Sequence, residues 1–402
     1  MPDPDPTPPS SSASSPNVSL NTALTRLIVV QICIHACMAG IRMAAPLLAL
    51  RQGYSAVAVG VLLALFSLTQ VFLSLPAGRF ADRHGLKRPV LISICCTVLG
   101  AGMAALWPTY SVLCVAALLT GGSTGAALIS LQRHVGCMTT DPTQLKKVFS
   151  WLAIGPSVSN FLGPFTAGLM IDHAGFGSAF ALMATLPIVS WLLIRSTREL
   201  APNKALADAP RQRSWDLLKE PRMRRLLLIN WLLSSCWDVH TFVLPVLGHE
   251  RGLSASVIGT ILGAFAVAAT LIRTVMPMVA ARIKEWAVIA GAMTATALLF
   301  AVYPLLQAPL AMGVCSVLLG FALGSVQPMI LSTLHQITPT HRHGEALGLR
   351  MMTINASSVI MPTLFGTLGT LIGITGVFWI VGAAVGLGSR TAWGLRKSLG
   401  AH

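Results

Sequence analysis

The sequence predicts an all-α polytopic membrane protein whose 12 transmembrane helices form two pseudo-symmetric six-helix bundles. Hydrophobic residues make up 54% of the 402-residue chain and charged residues only 10%, whereas a soluble domain carries about 25% charged residues. Long apolar stretches alternate with short polar breaks, and the second half repeats features of the first. Because too few polar residues are present to cover a water-exposed surface, the composition excludes a soluble enzyme.

The net charge of +15 does not indicate a nucleic-acid partner. A groove for phosphates needs Lys and Arg on one face of a folded domain, and here they fall in short segments between apolar runs. The eight cysteines lie almost entirely within apolar runs and form no CxxC pair. They predict neither a disulfide framework nor a zinc site, and we expect no metal and no cofactor.

The elements follow in order from the N-terminus. Residues 1–22 are rich in Pro and Ser and predict a disordered cytoplasmic tail, not a secretory signal. A helix of about 20 residues spans the hydrocarbon core, and the chain contains candidates at about 24–49, 55–77, 88–107, 110–132, 147–171, 177–195, 224–248, 255–280, 286–304, 308–332, 346–370 and 372–392. The polar, basic break at 196–223 predicts a central cytoplasmic loop between bundles at 23–195 and 224–395.

The basic residues predict the orientation. With a cytoplasmic N-terminus, all but four of the 28 Lys and Arg residues fall on the cytoplasmic side. Arg51 and Arg251 face outward, and Arg42 and Arg273 lie within helices. This asymmetry predicts a multi-pass protein of the inner (plasma) membrane with both termini in the cytoplasm, and it explains the net charge without any partner.

An internal repeat supports the two bundles. Several residues recur at an offset of about 199: Pro46, Gly53, Ser55 and Gly60 as Pro245, Gly252, Ser254 and Gly259; Gly125 as Gly324; and Pro164 and Gly168 as Pro362 and Gly366. Six-helix units duplicated in the same orientation are typical of transporters, with the site at the interface of the halves near the midplane.

The loop after the second helix carries a family resemblance. Residues 78–88 read GRFADRHGLKR, which is similar to the signature loop of the major facilitator superfamily, roughly G-x-x-x-D-R-x-G-R-[KR]-[KR]. The loop departs from that pattern at Leu86. Together with the spans, the long central loop and the repeat, the resemblance covers about 24–395. It implies two bundles that rock about a central site, and we expect a monomer.

This signature predicts a gating loop. Asp82 can face the N-terminal dipole of a neighbouring helix, while Arg83 and Lys87 can pair across the inner ends of the bundles. Two glycines permit close approach and a tight turn. Alternatively, the basic residues only set the topology. The corresponding segment 277–286 lacks the aspartate and predicts no symmetric gate. The candidate gating residues are Gly78, Asp82, Arg83, Gly85, Lys87 and Arg88.

The predicted fifth helix carries Gly155, Gly163, Pro164 and Gly168. These residues are similar to the glycine- and proline-rich motif in helix 5 of the superfamily's proton-coupled exporters, which favours export. The copy is imperfect, since Ser159 stands where a glycine is usual, and plain helix packing is the alternative. The arginine usual in helix 4 of such exporters is missing from 110–131.

Ionisable groups within the bilayer are candidates for function. Asp238 is the only acid deep in a predicted helix, close to the midplane, and we expect it to couple transport to protons. A fixed ion pair with Arg42 or Arg273 is the alternative. His35 and His240 are further candidates for proton coupling, or inert hydrogen-bonded side chains.

Other side chains are candidates for substrate binding. Arg42 can hold an anionic group bidentately, or reach outward, or pair with Asp238. Arg273 is either a substrate contact or a structural partner of Asp238. Gln327 and Asn355 are expected to add polar contacts, and Trp237 an adaptable apolar surface.

The sequence therefore predicts a secondary transporter, not an enzyme. The chain contains no GxxxxGK[ST] loop for ATP, so an ion gradient must supply the energy. We expect proton-coupled export of an amphipathic small molecule, either drug-like or a secreted metabolite such as a siderophore. The alternatives are a proton-symport importer of a small organic anion held by Arg42 and Arg273, and a membrane sensor with a transporter fold. The expected partners are this substrate, protons and the lipid bilayer.

Overall fold

The structure is a computed structural model that describes residues 16–54, 56–139, 141–197, 199, 214–253, 255–279 and 282–399. These ranges contain eleven α-helices, joined by short turns and three 3-10 helices. The α-helices are α1 (Pro16–Arg51), α2 (Ala56–His84), α3 (Lys87–Leu106), α4 (Tyr110–Gly136), α5 (Pro142–Leu152), α6 (Ile154–Arg195), α7 (Pro221–Glu250), α8 (Ala255–Val279), α9 (Glu285–Val302), α10 (Pro309–Ile337) and α11 (His343–Leu399).

Two of these helices each contain a sharp kink at a glycine. Gly175 in α6 has φ 82° and ψ 176°, and Gly373 in α11 has φ 72° and ψ 167°. A positive φ is readily adopted only by glycine. The predicted fifth helix therefore corresponds to α5 and the part of α6 before Gly175, and the predicted sixth helix to the part of α6 after it. The predicted eleventh and twelfth helices are the parts of α11 before and after Gly373.

Nine segments of the described chain are long and apolar enough to span a membrane. One of them, Pro142–Arg195, contains both the fifth and the sixth predicted spans. The predicted spans at 224–248 and 346–370 are helical, as α7 and the first part of α11, but are not among the nine. When α5 is counted with the first part of α6, and the two parts of α6 and of α11 are counted separately, the described helices account for the twelve predicted membrane spans.

Helix α1 begins at Pro16, within the segment 1–22 for which the sequence predicts a disordered tail. The remainder of the tail, 1–15, lies outside the described residues, as does 200–213 of the central loop. Within that loop, Ser214–Lys219 forms a 3-10 helix that leads into α7.

The internal repeat is visible in helix packing. Gly121 of α4 lies against the backbone of Phe66 in α2, and Gly320 of α10 lies against the backbone of Phe265 in α8. The two pairs are related by the same offset of about 199 as the sequence repeat. A Cβ at either glycine would overlap the phenylalanine carbonyl oxygen. Each half therefore brings its second and fourth membrane helices together in the same way.

The two halves meet mainly where α2 packs on α11 and where α5 packs on α8 and α10. Large apolar side chains, including Phe72, Val267 and Leu310, are exposed on the outside of the molecule. Such surface is unusual on a soluble monomer and fits a lipid environment.

Candidate functional site

A cavity of about 460 Å³ lies between the two halves, within the usual size range of small-molecule sites. It is lined by residues of α1, α4, α5, α6, α7, α8, α10 and α11. Its charged lining residues are Asp238, Arg273 and Arg350, with apolar side chains such as Leu323 and Ile330 between them. The cavity therefore combines a few ionisable groups with an apolar wall.

Asp238 reaches the cavity from α7. Its Oδ2 accepts a hydrogen bond from Ser357 Oγ at 3.3 Å, and Ser357 is in turn 3.2 Å from Ser235 Oγ. None of the ion pairs formed within the described ranges includes Asp238. The alternative of a fixed ion pair with Arg42 or Arg273 is thus not seen in this state.

Arg273 instead joins the two halves. Its Nη1 donates to Ser157 Oγ at 2.7 Å and to the Ala153 carbonyl at 3.4 Å, both in the first half. Its guanidinium also lies 5.7 Å from the centre of the Trp237 ring, a cation–π distance. Arg273 and Trp237, both expected at the substrate site, line the cavity together.

Arg350 is a cavity residue that the sequence analysis missed. It is 2% exposed; its Nε donates to Asn230 Oδ1 at 3.2 Å and its Nη2 to Gln327 Oε1. The predicted topology counts it among the cytoplasmic basic residues, but the structure places it in the cavity lining. A signal was present in the sequence, because Arg350 falls within the predicted span at 346–370. In the structure it lies about two turns inside α11, which begins at His343.

Two other candidates also line the cavity. His35 of α1 and Gln327 of α10 are lining residues. His35 Nδ1 is buried and has no hydrogen-bond partner within the described part of the chain. The Oε1 of Gln327 accepts a hydrogen bond from Arg350.

Arg42, His240 and Asn355 do not line the cavity. Arg42 is exposed on α1. His240 is buried inside the second half, 2.9 Å from Ser316 Oγ. Asn355 Nδ2 donates to the Met351 carbonyl of its own helix at 2.8 Å. The structure therefore separates these three from the site at which the sequence placed them.

At one end of the molecule, Asp82 of α2 ties the halves together. Its carboxylate accepts hydrogen bonds from the N–H groups of Gly344 at 2.9 Å and Glu345 at 3.0 Å, in the first turn of α11. Arg133 of α4 donates to the same carboxylate at 2.7 Å. A negative charge is favourable at a helix N-terminus, as the sequence analysis expected for Asp82. We call this part of the molecule the Asp82 end.

Close backbone contact accompanies this tie. A Cβ at Gly78 would overlap the carbonyl oxygen of Gly344, and a Cβ at Gly344 would overlap that of Gly78. Beside this crossing, Arg79 Nε lies 3.1 Å from Glu345 Oε1, and Arg342 Nη2 lies 2.8 Å from Glu345 Oε2.

The structure does not place Lys87 in the role expected of it. Its Nζ donates to the Arg195 carbonyl at 3.2 Å, within the first half, because the adjacent turn packs on that segment. Glu199 accepts the N–H groups of Leu86 and Lys87 and lies against Gly85, which has φ 73°. Arg83 and Arg88 are exposed on this surface.

A second tie lies between α5 and the turn before α9. Lys146 Nζ donates to the Ile283 carbonyl at 2.9 Å and lies 3.8 Å from Glu285 Oε2. Glu285 Oε1 accepts hydrogen bonds from Ser332 and Gln336. The segment 277–286, which lacks the aspartate of the predicted gate, therefore contacts the other half through the Ile283 carbonyl and the Glu285 carboxylate, both of which face Lys146 of α5.

The glycines of the predicted fifth helix pack α6 on α1. A Cβ at Gly163, next to Pro164, would overlap the Ala36 carbonyl oxygen. A Cβ at Gly155 would lie 3.0 Å from Gln31 Cδ, and one at Gly168 would lie 3.7 Å from Met43 Cε. In this state the motif provides close helix packing within one half.

Comparison with known proteins decides the family. The sequence model of the Major Facilitator Superfamily matches residues 27–344 and 226–396 of the chain. The chain belongs to this superfamily. It is therefore a multi-pass membrane transporter of a small molecule, with the superfamily's two-bundle fold, and not an enzyme.

The curated relatives include efflux proteins. The chain is 28% identical over 352 residues to the class B tetracycline resistance protein of Escherichia coli, covering 81% of this chain and 82% of that protein. It is 27% identical over 157 residues to multidrug resistance protein 1 of Bacillus subtilis, covering 38% and 40% of the two chains.

Solved structures support the same fold. The human organic anion transporter MFSD10 (TETRAN) superposes with a TM-score of 0.75 at 16% identity, covering 94% of this chain and 100% of that one. A bacterial homologue of the iron transporter ferroportin superposes with a TM-score of 0.76 at 15% identity, covering 92% and 98%. At these identities the likeness concerns the fold alone.

Proposed function

We propose that this transporter exports an amphipathic small molecule, drug-like or a secreted metabolite such as a siderophore, in exchange for protons. The observation that carries the proposal is Asp238, a carboxylate in the cavity lining with no ion-pair partner in the described structure. Two relatives named for tetracycline and multidrug resistance support export as the direction.

The transport cycle rests on the two bundles at 23–195 and 224–395. We assign the Asp82 end to the cytoplasm of a cell whose inner membrane holds the protein, with both termini on the same side, because the basic residues concentrate there. The ties at Asp82 and Lys146 then correspond to a state closed to the cytoplasm. Breaking them lets the bundles rock and exposes the cavity inward. The proposed working unit is a monomer.

Proton exchange at Asp238 links this motion to the gradient. An ionised carboxylate is costly in a closed, water-poor cavity, so closing around the site favours the protonated form. Opening outward admits water and protons, and opening inward lets the proton leave. His35 Nδ1, which has no hydrogen-bond partner among the described residues, lies in the same lining and is a further acceptor for this proton.

The test uses inverted membrane vesicles with an acid interior, probed with radiolabelled tetracycline and a set of fluorescent amphipathic dyes. In these vesicles export appears as uptake, and we expect accumulation of at least one probe that collapses when a protonophore is added. Vesicles from cells carrying an empty plasmid are the control. Failure of every probe to accumulate under the gradient contradicts proton-coupled export of such compounds.

Import of a small organic anion by proton symport is the second candidate, because two arginines line the cavity. It predicts the opposite gradient dependence: right-side-out vesicles with an acid exterior accumulate the substrate, and inverted vesicles do not. A sensor with a transporter fold predicts binding with no counterflow in either orientation.

A further inference from the structure

Two buried arginines lie against the same turn of α10. Arg273 reaches it from α8, and its Nε donates to the Gly324 carbonyl at 3.4 Å. Arg350 reaches it from α11, and its Nη2 donates to Gln327 Oε1. Gly324 and Gln327 are three residues apart, less than one helical turn. The two guanidinium groups therefore flank one short segment of the cavity wall.

Neither arginine has a carboxylate partner within the described residues. Arg273 contacts Ser157 Oγ and two backbone carbonyls, and Arg350 contacts two neutral amide oxygens. Arg273 is only 9% exposed and Arg350 only 2%. A buried charge normally requires a counter-charge. Asp238 is the single carboxylate among the described lining residues, so the two arginines leave the cavity with an excess of positive charge whether Asp238 is protonated or ionised.

The surrounding amides complete an anion-binding arrangement. A guanidinium only donates hydrogen bonds, so Asn230 must turn its Oδ1 toward Arg350. This leaves Asn230 Nδ2, a donor, buried with no partner in the part of the chain that the structure describes. A further N–H donor therefore accompanies Arg350, and a bound acidic group would satisfy both.

The remaining wall is apolar. Trp237 lies below Arg273, and Leu323, Val326 and Ile330 of α10 line the cavity beside the two arginines. These side chains can cover an aromatic or aliphatic body while the arginines hold a charged head. The cavity thus separates a site for an anion from a site for an apolar group.

We infer that the substrate of this cavity is an amphipathic anion, whose acidic group binds between Arg273 and Arg350 and whose apolar body packs on Trp237. The inference rests on the proposed function insofar as it takes the cavity to be the transport site. An acidic small molecule and the headgroup of an anionic lipid share this chemistry.

The experiment measures equilibrium binding to the purified full-length protein in nanodiscs of phosphatidylcholine. The probes are 2-naphthoate, 2-naphthamide and 2-naphthylmethylammonium, which share one ring system and differ in charge. We expect naphthoate to bind about tenfold or more tightly than naphthamide, as charge-assisted hydrogen bonds predict, and the cation to bind most weakly. Naphthoate binding no tighter than naphthamide binding, or no naphthoate binding, overturns the inference.

Variants locate the site. Arg350→Gln and Arg273→Gln should each remove most of the preference for naphthoate over naphthamide, measured as the ratio of the two dissociation constants. Arg225→Gln, which alters an exposed arginine at the start of α7, is the matched control. A preference that survives in both cavity variants overturns the assignment.

Asn230→Asp tests the inference independently if an arginine variant does not fold. It keeps an acceptor for Arg350 and changes little in shape, but it adds a carboxylate inside the cavity. The preference for naphthoate should then disappear, and its persistence contradicts the inference.

The source of the anion is tested by adding phosphatidylglycerol to the nanodiscs at high salt, which screens the surface potential. Weaker naphthoate binding assigns the site to a lipid headgroup, whereas unchanged binding assigns it to a soluble anion. Binding is measured without a gradient, so the two proposals can fail separately. The protein can export a probe without preferring naphthoate, and it can prefer naphthoate without proton-driven export.

Discussion

Asp82 and Gly344 join two segments that lie 262 residues apart in the sequence, through a hydrogen bond of 2.9 Å from the Gly344 N–H to Asp82 Oδ1. The same carboxylate accepts the Glu345 N–H and the Arg133 guanidinium. The Asp82 carboxylate therefore binds the N-terminal N–H groups of α11 in the second half and the guanidinium of Arg133 from α4 in the first half. We propose that this convergence makes Asp82 the central element of the gate.

The first prediction concerns Asp82→Asn. The amide keeps one acceptor but loses the charge, so it weakens the bonds to α11 and leaves Arg133 without its anion. We expect slower transport with little change in substrate affinity, and amide hydrogen exchange at Gly344 and Glu345 faster by about tenfold. The control is Asp172→Asn, an exposed acid in α6. An exchange rate equal to that of the parent would show that the bonds contribute nothing to closure.

The second prediction concerns Gly78→Ala. The added methyl would overlap the Gly344 carbonyl, so α2 and α11 can no longer approach as closely. We expect faster hydrogen exchange in the first turn of α11 and a reduced transport rate. Gly60→Ala is the matched control, because a Cβ at Gly60 of the same helix has no neighbour within 4 Å in the part of the chain that the structure describes. Equal effects of the two substitutions would rule out the backbone crossing as the cause.

The sequence alone predicted the architecture well, for physical reasons. Span length follows from bilayer thickness, and the duplication leaves matched glycines. Asp82 was recognisable because a family signature fixes its spacing from the end of a helix. None of these arguments depends on which way a single side chain points.

The cavity was predicted less well, because its lining depends on helix rotation and depth. Asp238 and His240 are two residues apart and therefore about 200° apart around α7, so only one of them faces the cavity. Arg42 lies on nearly the same face of α1 as His35 but about two turns further along, beyond the lining. Arg350 was missed because hydropathy places a helix end only within a few residues.

The third prediction concerns the tie at Lys146. Its side chain and that of Glu285 are about 90% buried, so Lys146→Met leaves a buried carboxylate without its cation. We expect the free energy of unfolding to fall by about 1–3 kcal/mol, measured by thermal or denaturant unfolding in detergent. Lys147→Met, which alters the exposed neighbour, should have little effect.

A double variant separates the charge pair from other effects of the substitution. Lys146→Met combined with Glu285→Gln removes both charges, so it should be more stable than the sum of the single effects predicts. Strict additivity of the two free-energy changes would mean that Lys146 and Glu285 do not interact.

The fourth prediction concerns Asp238→Asn, which tests the proposed coupling. The amide retains an acceptor for Ser357 but cannot release a proton in the working pH range. We therefore expect proton-driven accumulation to be lost, while exchange of labelled for unlabelled substrate continues, because exchange moves the bundles without net proton transfer. The two activities are measured in the same vesicles, with and without an imposed gradient.

Glu250→Gln is the control, since this exposed acid lies at the end of the same helix and outside the cavity. Normal accumulation by Asp238→Asn would remove this residue as the coupling site, and loss of exchange together with accumulation would assign it to substrate binding instead.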